Sequence, residues 1–598
     1  MGSGIRKLTI QIIMLSVALL YLARLFYIQV IDSTSASEIR LKEVEAPRGL
    51  IKDRHGEILV ANQPMYNLML VAANMESMDT VKLAGLLKLE LDIVRERIKK
   101  ARRHPFNPSL FQRQIDYVEF GRLQEQLHLF PGFYGEVHAE RIYPYGHSAH
   151  VLGYIGMVDS QEIKTDNYYT DQNVVGKTGL EKFYEKALRG VKGSKWLLYD
   201  VHNRAKGSYK EGADDVLPIP GTNLISTLDA KLQDYGERLM KNKKGSIVAI
   251  EPKSGEILAF VSSPSYNPKI MVGQSRGRAF EALKKDSLDP LFNRPVMAMY
   301  PPGSTYKSIM SLIGLQEGVD IKGRFKCKGE QRIPGTVACH DHEPINGVKG
   351  AIRYSCNNYF SSVMKAFFDL EKFKNAAEAY ESWYTYSSSF GLGQKISPEF
   401  EFESAGNLPK KDYYDRLYRV GGWKAPTIIS LSVGQGELLM TPMQIANTYA
   451  CIANKGYFIE PHLIKELETF SKTNKLRFER KEAGISSEHF EKVIEGLEEV
   501  VKEGTARGSQ IKDISMCGKT GTAENPHGKD HSIFAAFAPK EEPQIAISVF
   551  VENSGYGSTW AAPIASLMIE QYLKGSIEGG YRESLEKRMF EGDLINEN

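Results

Sequence analysis

A serine and a lysine stand three residues apart at the start of a predicted helix. The turn-forming residues Pro301-Pro302-Gly303 precede Ser304, and Lys307 follows one turn later. This spacing places hydroxyl and amine on one helix face. A serine attacks only when a base takes its proton, and a lysine can be that base if burial and neighbouring positive charge keep it neutral. The pattern predicts Ser304 as a nucleophile and Lys307 as its base.

Two further motifs follow the serine in the chain. Ser355-Cys356-Asn357 comes first, and Lys519-Thr520-Gly521-Thr522 comes much later, directly before a predicted strand. Three such elements in this order are far more specific than the serine and lysine alone. Similar patterns at Ser362–Lys365 and Ser584–Lys587 are interpreted as chance, and Lys177-Thr178-Gly179 as a structural turn, because it lies upstream of the serine.

The elements that must position these motifs point to one sheet built from distant parts of the chain. Residues 245–250 and 255–260 predict a β-hairpin, and further strands are predicted at 533–539 and 544–551, with helices between the two groups. This pattern is typical of an α/β arrangement in which helices flank a sheet. The expected limits of this domain are 228–575, and the polar segment 576–598 is expected to be peripheral.

The region before this domain has a different amino-acid composition. Residues 40–218 are rich in charge and tyrosine, with a strand predicted at 66–71 and a helical run at 81–103. Pro218-Ile219-Pro220-Gly221 marks the boundary. We therefore expect a separate α+β domain over 40–218.

Length and charge exclude several classes of protein. The chain has 598 residues, which exceeds one ordinary domain. Its 76 Lys and Arg against 73 Asp and Glu give a net charge of +3, and no domain-sized block of one sign appears, which argues against a nucleic-acid-binding protein. Five cysteines, three of them in one short stretch, do not make a disulfide scaffold.

The N-terminus carries one predicted membrane-spanning helix. Residues 8–31 are mostly apolar and carry no charge except that of Arg24, and they are long enough to cross a bilayer. Arg6 and Lys7 precede the span and Asp32 follows it, so the positive-inside rule places residues 1–7 in the cytoplasm and the rest of the chain outside. The alternative, a cleaved signal peptide, has only a weak cleavage site after the span. Arg24 either reaches the outer interface or faces a partner helix.

A cluster of cysteines and histidines lies between the first two motifs. Cys327, Cys339 and Cys356 with one histidine make the ligand set of a closed tetrahedral zinc site. We choose His342 over His340, although either can serve. The alternative is a set of reduced, buried cysteines with a surface histidine pair. Two other cysteines, Cys451 and Cys517, are interpreted as packing residues.

The three motifs resemble the signature of active-site serine penicillin-binding proteins and their β-lactamase relatives. The chain is similar to the class B members of this family, and the likeness extends beyond the three motifs. Further matching segments are Arg48–Ala61, Gly179-Leu180-Glu181, Leu188-Arg189-Gly190, Gly434-Gln435-Gly436, Thr441–Gln444 and Gly504-Thr505-Ala506. The resemblance implies an anchor, a pedestal or dimerisation domain, and a β-lactamase-like transpeptidase domain with a five-stranded sheet between helices. It also implies that a glycosyltransferase domain is absent.

The same resemblance implies a role for each motif. As a peptidoglycan D,D-transpeptidase, the enzyme would use Ser304 to attack the bond between the terminal D-alanines of a stem peptide, and β-lactams would acylate the same serine. Lys307 would take the proton, while Ser355 and Asn357 would relay protons and hold the donor. The residues implied to bind the substrate's carboxylate end are Lys519, Thr520, Gly521 and Thr522. Ile533 departs from the family, where an aromatic residue is frequent.

The cysteine cluster favours the elongation-specific branch of the family over the division-specific one, because elongation enzymes carry metal ligands between these motifs. The resemblance then implies a location in the inner membrane, a SEDS-type, RodA-like glycosyltransferase partner and an MreC-like periplasmic scaffold. Two alternatives stay open. One is a D,D-carboxypeptidase, in which water resolves the acyl-enzyme, and the other is a penicillin-binding scaffold or sensor that does not crosslink.

Overall fold

The structure is a computed structural model that describes residues 2–28, 38–171, 173–199, 205–273, 275–319, 321, 323–327, 329, 337–469, 471–526 and 528–596. The chain divides into two compact units. The first comprises Met1–Gly49, Asn62–Arg141 and Arg189–Thr222, and the second comprises Leu50–Ala61, Ile142–Leu188 and Asn223–Asn598.

The helices and strands of the described residues are numbered in chain order. The helices are α1 (Gly2–Phe26), α2 (Thr80–Leu87), α3 (Leu91–Ala101), α4 (Tyr117–Gln126), α5 (Ala149–Leu152), α6 (Ser160–Thr165), α7 (Gly179–Phe183), α8 (Glu185–Leu188), α9 (Ala230–Leu239), α10 (Arg276–Lys285), α11 (Arg294–Met297), α12 (Lys307–Gln316), α13 (Gly347–Arg353), α14 (Asn357–Phe368), α15 (Ala376–Ser389), α16 (Lys411–Tyr418), α17 (Pro442–Ala453), α18 (Ser487–Lys502), α19 (Ala561–Lys574) and α20 (Gly580–Glu591). The strands are β1 (Glu38–Val44), β2 (Ile51–Lys52), β3 (Ile58–Leu70), β4 (Ser109–Ile115), β5 (Phe133–Ile142), β6 (Ile155–Met157), β7 (Val174–Gly176), β8 (Gly193–Tyr199), β9 (Ala205–Ser208), β10 (Asn223–Ser226), β11 (Gly245–Ile250), β12 (Ile257–Ser263), β13 (Arg324–Phe325), β14 (Ile345–Asn346), β15 (Tyr457–Ile459), β16 (Ile464–Glu468), β17 (Thr473–Lys475), β18 (Arg480–Glu482), β19 (Cys517–Ala523), β20 (His531–Ala538) and β21 (Ile545–Val551).

The second unit is built on a five-stranded antiparallel sheet. Its strand order is β12-β11-β21-β20-β19, so two early strands lie beside three late ones. Every residue of β11, β12 and β21 is buried, which requires cover on both faces. Helices α9, α17 and α19 pack on these strands. The sheet and its flanking helices expected from the sequence are confirmed.

The first unit has its own smaller core. Strands β3 and β4 pair in antiparallel fashion, and β1, β8 and β9 form a separate three-stranded sheet. Leu68, Val94, Phe111 and Phe130 are among the buried residues that join strands to helices α2, α3 and α4. The helical run expected over 81–103 is two helices, because Lys88 is left-handed, with φ of 53°, and ends α2.

Two segments within the expected 40–218 domain cluster with the second unit. These are Leu50–Ala61 and Ile142–Leu188. The reason is burial: Ile51, Val60 and Leu152 belong to the same hydrophobic core as the five-stranded sheet. This assignment depends on tertiary packing, which the sequence pattern does not display.

The C-terminal segment is part of the packed fold rather than peripheral. Helix α20 buries Leu585 and Met589, which are four residues apart and therefore on one face. Arg582 donates to the buried Glu570 of α19 at 2.7 Å, and Lys243 donates to the Met589 carbonyl at 2.6 Å. The sequence prediction missed the apolar face formed by Leu585 and Met589, because most residues of the segment are polar.

Helix α1 is the apolar N-terminal helix expected from the sequence. Its stretch Gly4–Phe26 has a mean hydropathy of 2.0 and is long and apolar enough to cross a membrane. Residues 29–31 of the expected span lie outside the described residues.

Candidate active site

A tight turn holds Ser304 against the edge of the sheet. Residues Gly303–Tyr306 form one turn of 3₁₀ helix directly before α12, and Ser304 is half-buried there. Gly303 has a φ of +55° and donates its N–H to the Gly434 carbonyl at 2.9 Å. A Cβ on Gly303 would lie 2.7 Å from the Thr522 carbonyl oxygen. Only glycine therefore lets the Ser304 turn come this close to β19.

Lys307 is the first residue of α12, and its side chain is fully buried. The amine donates to the Ser355 carbonyl at 2.7 Å, to Ser355 Oγ at 3.1 Å and to Asn357 Oδ1 at 2.5 Å. Burial lowers the pKa of Lys307 to about 8, although the charges of Cys339 and Cys356 act to raise it. A basic group with a pKa this near neutrality is suited to proton transfer.

The second motif sits at the start of α14. Ser355 is left-handed, with φ of 56°, which a non-glycine residue adopts at a cost. Cys356 caps α14 by accepting the Tyr359 N–H at 3.4 Å, and Asn357 Nδ2 donates to the Ala338 carbonyl at 2.6 Å. The helix cap and the hydrogen bond from the Asn357 side-chain amide hold Ser355 and Asn357 within hydrogen-bond distance of the Lys307 amine.

The third motif lies on β19, which forms one edge of the sheet. Lys519 is fully buried, and its amine donates to the Thr520 carbonyl at 3.2 Å. Burial, and then the charge of Lys307, lower the pKa of Lys519. Thr520 and Gly521 are buried, and Thr522 is half-buried beside the Ser304 turn. An edge strand can add an extended peptide as a further strand.

These contacts bring the three sequence motifs together around one point. The structure thereby joins a hydroxyl, a buried amine and an edge strand that come from separate regions of the chain. A hydroxyl, a buried amine and a peptide-binding strand are the components that a serine acyl-transfer enzyme requires, because the hydroxyl must lose its proton to a base.

The cysteine and histidine cluster is also assembled. One ligand atom from each of Cys327, Cys339, His342 and Cys356 lies within 4.8 Å of the others. The sulfur atoms of Cys339 and Cys356 are 4.0 Å apart, and all five cysteines of the chain are free. A tetrahedral zinc with Zn–S bonds of about 2.3 Å holds its sulfur atoms about 3.8 Å apart, so the donor set fits this metal.

His342 has the geometry of a metal ligand. Its Nδ1 lies 2.7 Å from the Glu343 carbonyl, which can only accept, so Nδ1 carries the hydrogen and Nε2 has the lone pair. Nε2 is buried and has no hydrogen-bond partner among the described residues. The ring stacks on Tyr354 with centroids 5.3 Å apart. A carbonyl that fixes the tautomer in this way is common for metal-bound histidines.

The other serine and lysine patterns lie elsewhere and are engaged differently. Ser362 Oγ donates to the Asn358 carbonyl at 2.8 Å, and Ser584 Oγ donates to the Gly580 carbonyl at 2.7 Å. In both cases the hydroxyl donates a hydrogen bond to the backbone carbonyl four residues earlier in the same helix. Lys177 instead forms an ion pair with Glu162 at 2.6 Å.

The cysteines expected to serve in packing, Cys451 and Cys517, are both fully buried, which confirms that interpretation. Ile533 pairs with Gly521 on the neighbouring strand and is likewise fully buried.

Two polar residues at the site were not among the predicted site residues. Thr505 Oγ1 lies 2.6 Å from Thr520 Oγ1, and Gln435 Nε2 donates to the Thr522 carbonyl at 3.3 Å. Both stand in short glycine-containing motifs, Gly504-Thr505-Ala506 and Gly434-Gln435-Gly436. The polar residue inside each of these motifs is the sequence feature that could have identified Thr505 and Gln435 as site residues.

Known proteins match this chain over most of its length. Residues 43–226 match the penicillin-binding protein dimerisation domain, and residues 245–570 match the penicillin binding protein transpeptidase domain. The peptidoglycan D,D-transpeptidase MrdA of Acinetobacter baumannii is 32% identical over 590 residues, covering 92% of this chain and 84% of the relative.

Solved structures agree with these matches. A complex between penicillin-binding protein 2 (PBP2) and MreC from Helicobacter pylori contains a chain with a TM-score of 0.71 and 25% identity, covering 90% of this chain and 99% of the other. A chain from a peptidoglycan synthase complex, studied for the coordination of polymerization and crosslinking, has a TM-score of 0.74 and 25% identity, covering 97% and 100%. The present chain belongs to the penicillin-binding protein family, with both the dimerisation and the transpeptidase domains.

Proposed function

We propose that this chain is a peptidoglycan D,D-transpeptidase of the elongation-specific branch, and that Ser304 is its nucleophile. The observation that carries the proposal is the buried Lys307 amine, which lies one helical turn from Ser304 and bonds to both Ser355 and Asn357. The match to the transpeptidase domain and the likeness to MrdA support the substrate class.

The reaction proceeds in two acyl transfers. Ser304 Oγ attacks the carbonyl carbon between the two terminal D-alanines of a stem peptide while Lys307 takes the hydroxyl proton. The C–N bond then breaks, D-alanine leaves with a proton relayed through Ser355, and an ester remains on Ser304. The amine of a neighbouring stem attacks this ester, forms the crosslinking amide and restores the serine hydroxyl. A β-lactam carbonyl acylates Ser304 by the same first step.

The edge strand binds the donor peptide. The positive charge of Lys519 and the hydroxyls of Thr520 and Thr522 face the terminal carboxylate. Gly521 lets the strand pack closely on the Ser304 turn, because its Cβ would lie 3.1 Å from the Pro302 carbonyl oxygen. The N–H groups of Ser304 and Thr522 form the oxyanion hole. Losing one such donor commonly costs about 3 kcal/mol of transition-state stabilisation.

The cysteine cluster holds a structural zinc ion in this proposal. The ligands are Cys327, Cys339, His342 and Cys356, whose donor atoms are already close together. Such an ion stabilises the loop before the second motif, and the acyl transfer itself needs no cofactor. A ligand set at this position also favours the elongation branch.

The N-terminal helix gives the protein its location. We place α1 as a single span of the cytoplasmic membrane, with residues 1–7 inside and the catalytic domain outside, because the positive residues precede the span. A RodA-like glycosyltransferase and an MreC-like scaffold are the proposed partners, since similar chains occur in a PBP2–MreC complex and in a peptidoglycan synthase complex. The limits 40–218 and 228–575 remain our predicted domain boundaries.

Intact-mass analysis of the full chain in detergent after incubation with benzylpenicillin tests the nucleophile. We expect one penicilloyl adduct on the wild type and none on Ser304→Ala. Ser362→Ala is the matched control, because that serine has the same spacing to a lysine, and it should be acylated like the wild type. An adduct on Ser304→Ala, or none on folded wild type, contradicts the proposal.

The metal content of the same samples tests the zinc site. We expect about one equivalent of zinc in the wild type and a loss of most of it in Cys339→Ser, while Cys451→Ser, a buried cysteine outside the cluster, should keep it. Equal zinc in both variants, or none in the wild type, contradicts the site.

A further inference from the structure

The second unit contains an apolar cavity outside the Ser304 site. Its volume is about 630 Å³, and its aromatic lining residues include His150, Tyr154, Tyr266, Phe280, Phe400 and Phe402. This volume falls within the range of about 300–1,000 Å³ that is typical of small-molecule sites, which combine apolar walls with a few polar groups. None of the residues proposed for the active site lines the cavity.

Three buried polar atoms on residues that line the cavity have no hydrogen-bond partner among the described residues. They are His150 Nε2, Asn293 Oδ1 and Thr178 Oγ1. Asn293 precedes α11 but its side chain does not cap that helix. Buried polar atoms in folded proteins nearly always have partners, so three unpaired atoms on the lining residues of one cavity indicate a missing partner.

The His150 and Asn293 atoms are acceptors, whereas the Thr178 hydroxyl can donate or accept. The other ring nitrogen of His150 bonds to the Pro290 carbonyl and must carry the hydrogen, which leaves a lone pair on Nε2. Burial lowers the pKa of His150 to about 4, so the ring is neutral at physiological pH. A buried carboxylate beside them, that of Glu399, already accepts from the Tyr184 hydroxyl at 2.5 Å.

The polar rim of the cavity is already paired. Lys182 and Glu401 form an ion pair at 2.6 Å with both side chains partly exposed, and the Lys182 amine lies 5.8 Å from the Phe402 ring centroid. The walls of the cavity are therefore aromatic, the acceptors of His150 and Asn293 are neutral, and the two charges at the rim neutralise each other. A charged ligand would have no opposite charge to pair with. This environment favours an uncharged ligand.

We propose that this cavity binds a neutral aromatic small molecule that carries a hydroxyl or N–H group, which donates to Asn293 Oδ1 or His150 Nε2. The aromatic body packs among the rings, and the donor supplies the partner that these atoms lack. The proposal is independent of the peptidoglycan reaction at Ser304.

Ligand-observed NMR on the full chain in detergent, with 2-naphthol as the probe, tests the site. 2-Methoxynaphthalene is the matched probe, because it has the same rings without the donor. Benzylpenicillin is added first so that Ser304 is already acylated. Leu291→Trp fills the cavity, Asn293→Leu removes one acceptor at similar size, and Leu217→Trp is a control at a residue that is 80% exposed.

We expect 2-naphthol to bind the acylated wild type and Leu217→Trp equally, and about tenfold more tightly than 2-methoxynaphthalene. Asn293→Leu should remove most of that preference, and Leu291→Trp should abolish binding of both probes above the micelle background. Absence of binding to the wild type overturns the proposal, because water alone would then fill the cavity. Binding that survives in a Leu291→Trp protein that is still acylated also overturns it. If Leu291→Trp does not fold, Asn293→Leu decides the question. The proposal is then overturned if Asn293→Leu still binds 2-naphthol about tenfold more tightly than 2-methoxynaphthalene.

Discussion

The proposed role of Lys307 predicts a specific pH dependence of acylation. Only the neutral amine can take the proton of Ser304, and the pKa of Lys307 is lowered to about 8. The neutral fraction is then about 9% at pH 7 and about 91% at pH 9, so the acylation rate should rise about tenfold over this interval, with a midpoint near pH 8. Stopped-flow measurement with a fluorescent penicillin gives this rate.

Saturating penicillin separates Lys307 from the second lysine of the site. Burial also lowers the pKa of Lys519, and loss of its charge with rising pH would weaken carboxylate binding and lower the rate. The bound carboxylate favours the charged form of Lys519, since an opposite charge stabilises it. At saturating penicillin, the increase of the acylation rate with pH therefore reports the loss of the proton from Lys307.

Lys307→Arg provides the decisive comparison. Arginine keeps the positive charge but cannot lose its proton, so the acylation rate should fall by about 10²–10⁴. Lys587→Arg is the matched control, because Lys587 has the same spacing from a serine and is exposed. A wild-type rate that does not change between pH 6.5 and 9.5, or a Lys307→Arg variant that keeps more than a tenth of the rate, would refute the reasoning.

Three further substitutions test the supporting structure. Gly303→Ala should slow acylation more than about tenfold, because its Cβ would lie 2.7 Å from a β19 carbonyl oxygen, while Gly555→Ala, at a φ of +82° in open space, should cost only about 1 kcal/mol of stability and leave acylation unchanged. Thr505→Val leaves the Thr520 hydroxyl without its partner at 2.6 Å and should slow acylation about fivefold, whereas Thr505→Ser should retain the rate. Met589→Ala should lower the free energy of unfolding by about 2–5 kcal/mol in a denaturant titration, and a peripheral C-terminal segment would show no change.

The parts of the fold that could be predicted are those with a strong local pattern. Strands β20 and β21 are nearly continuous apolar runs, and their limits differ from the expected ones by only a few residues. The break between α2 and α3 could not be predicted in this way, because lysine at position 88 gives no signal for a left-handed residue. The assignment of Ile142–Leu188 to the second unit depends on which core its side chains enter, and this is a property of the whole chain.

The motifs of the candidate site could likewise be recognised from order and spacing, but their contacts could not. The sequence places Asn357 downstream of Lys307, and only the fold brings its amide oxygen to 2.5 Å from the amine. The bond between Thr505 and Thr520 is similar, because two threonines of separate motifs meet by packing of α18 and its following loop against β19. The unpaired atoms of His150 and Asn293 have no sequence signal at all.

The proposed metal site and the proposed base share structural supports. Cys339 Sγ accepts the N–H of Asn357 at 3.3 Å, and the adjacent Ala338 carbonyl accepts the Asn357 amide at 2.6 Å. Cys356 lies between the two residues that bond the Lys307 amine and also caps α14. An ion that ties Cys339 to Cys356 would therefore fix both partners of the amine, because ligands next to a hydrogen-bonded group restrict its motion. The proposed ion would then take no part in the acyl transfer but would determine where the Lys307 amine is held.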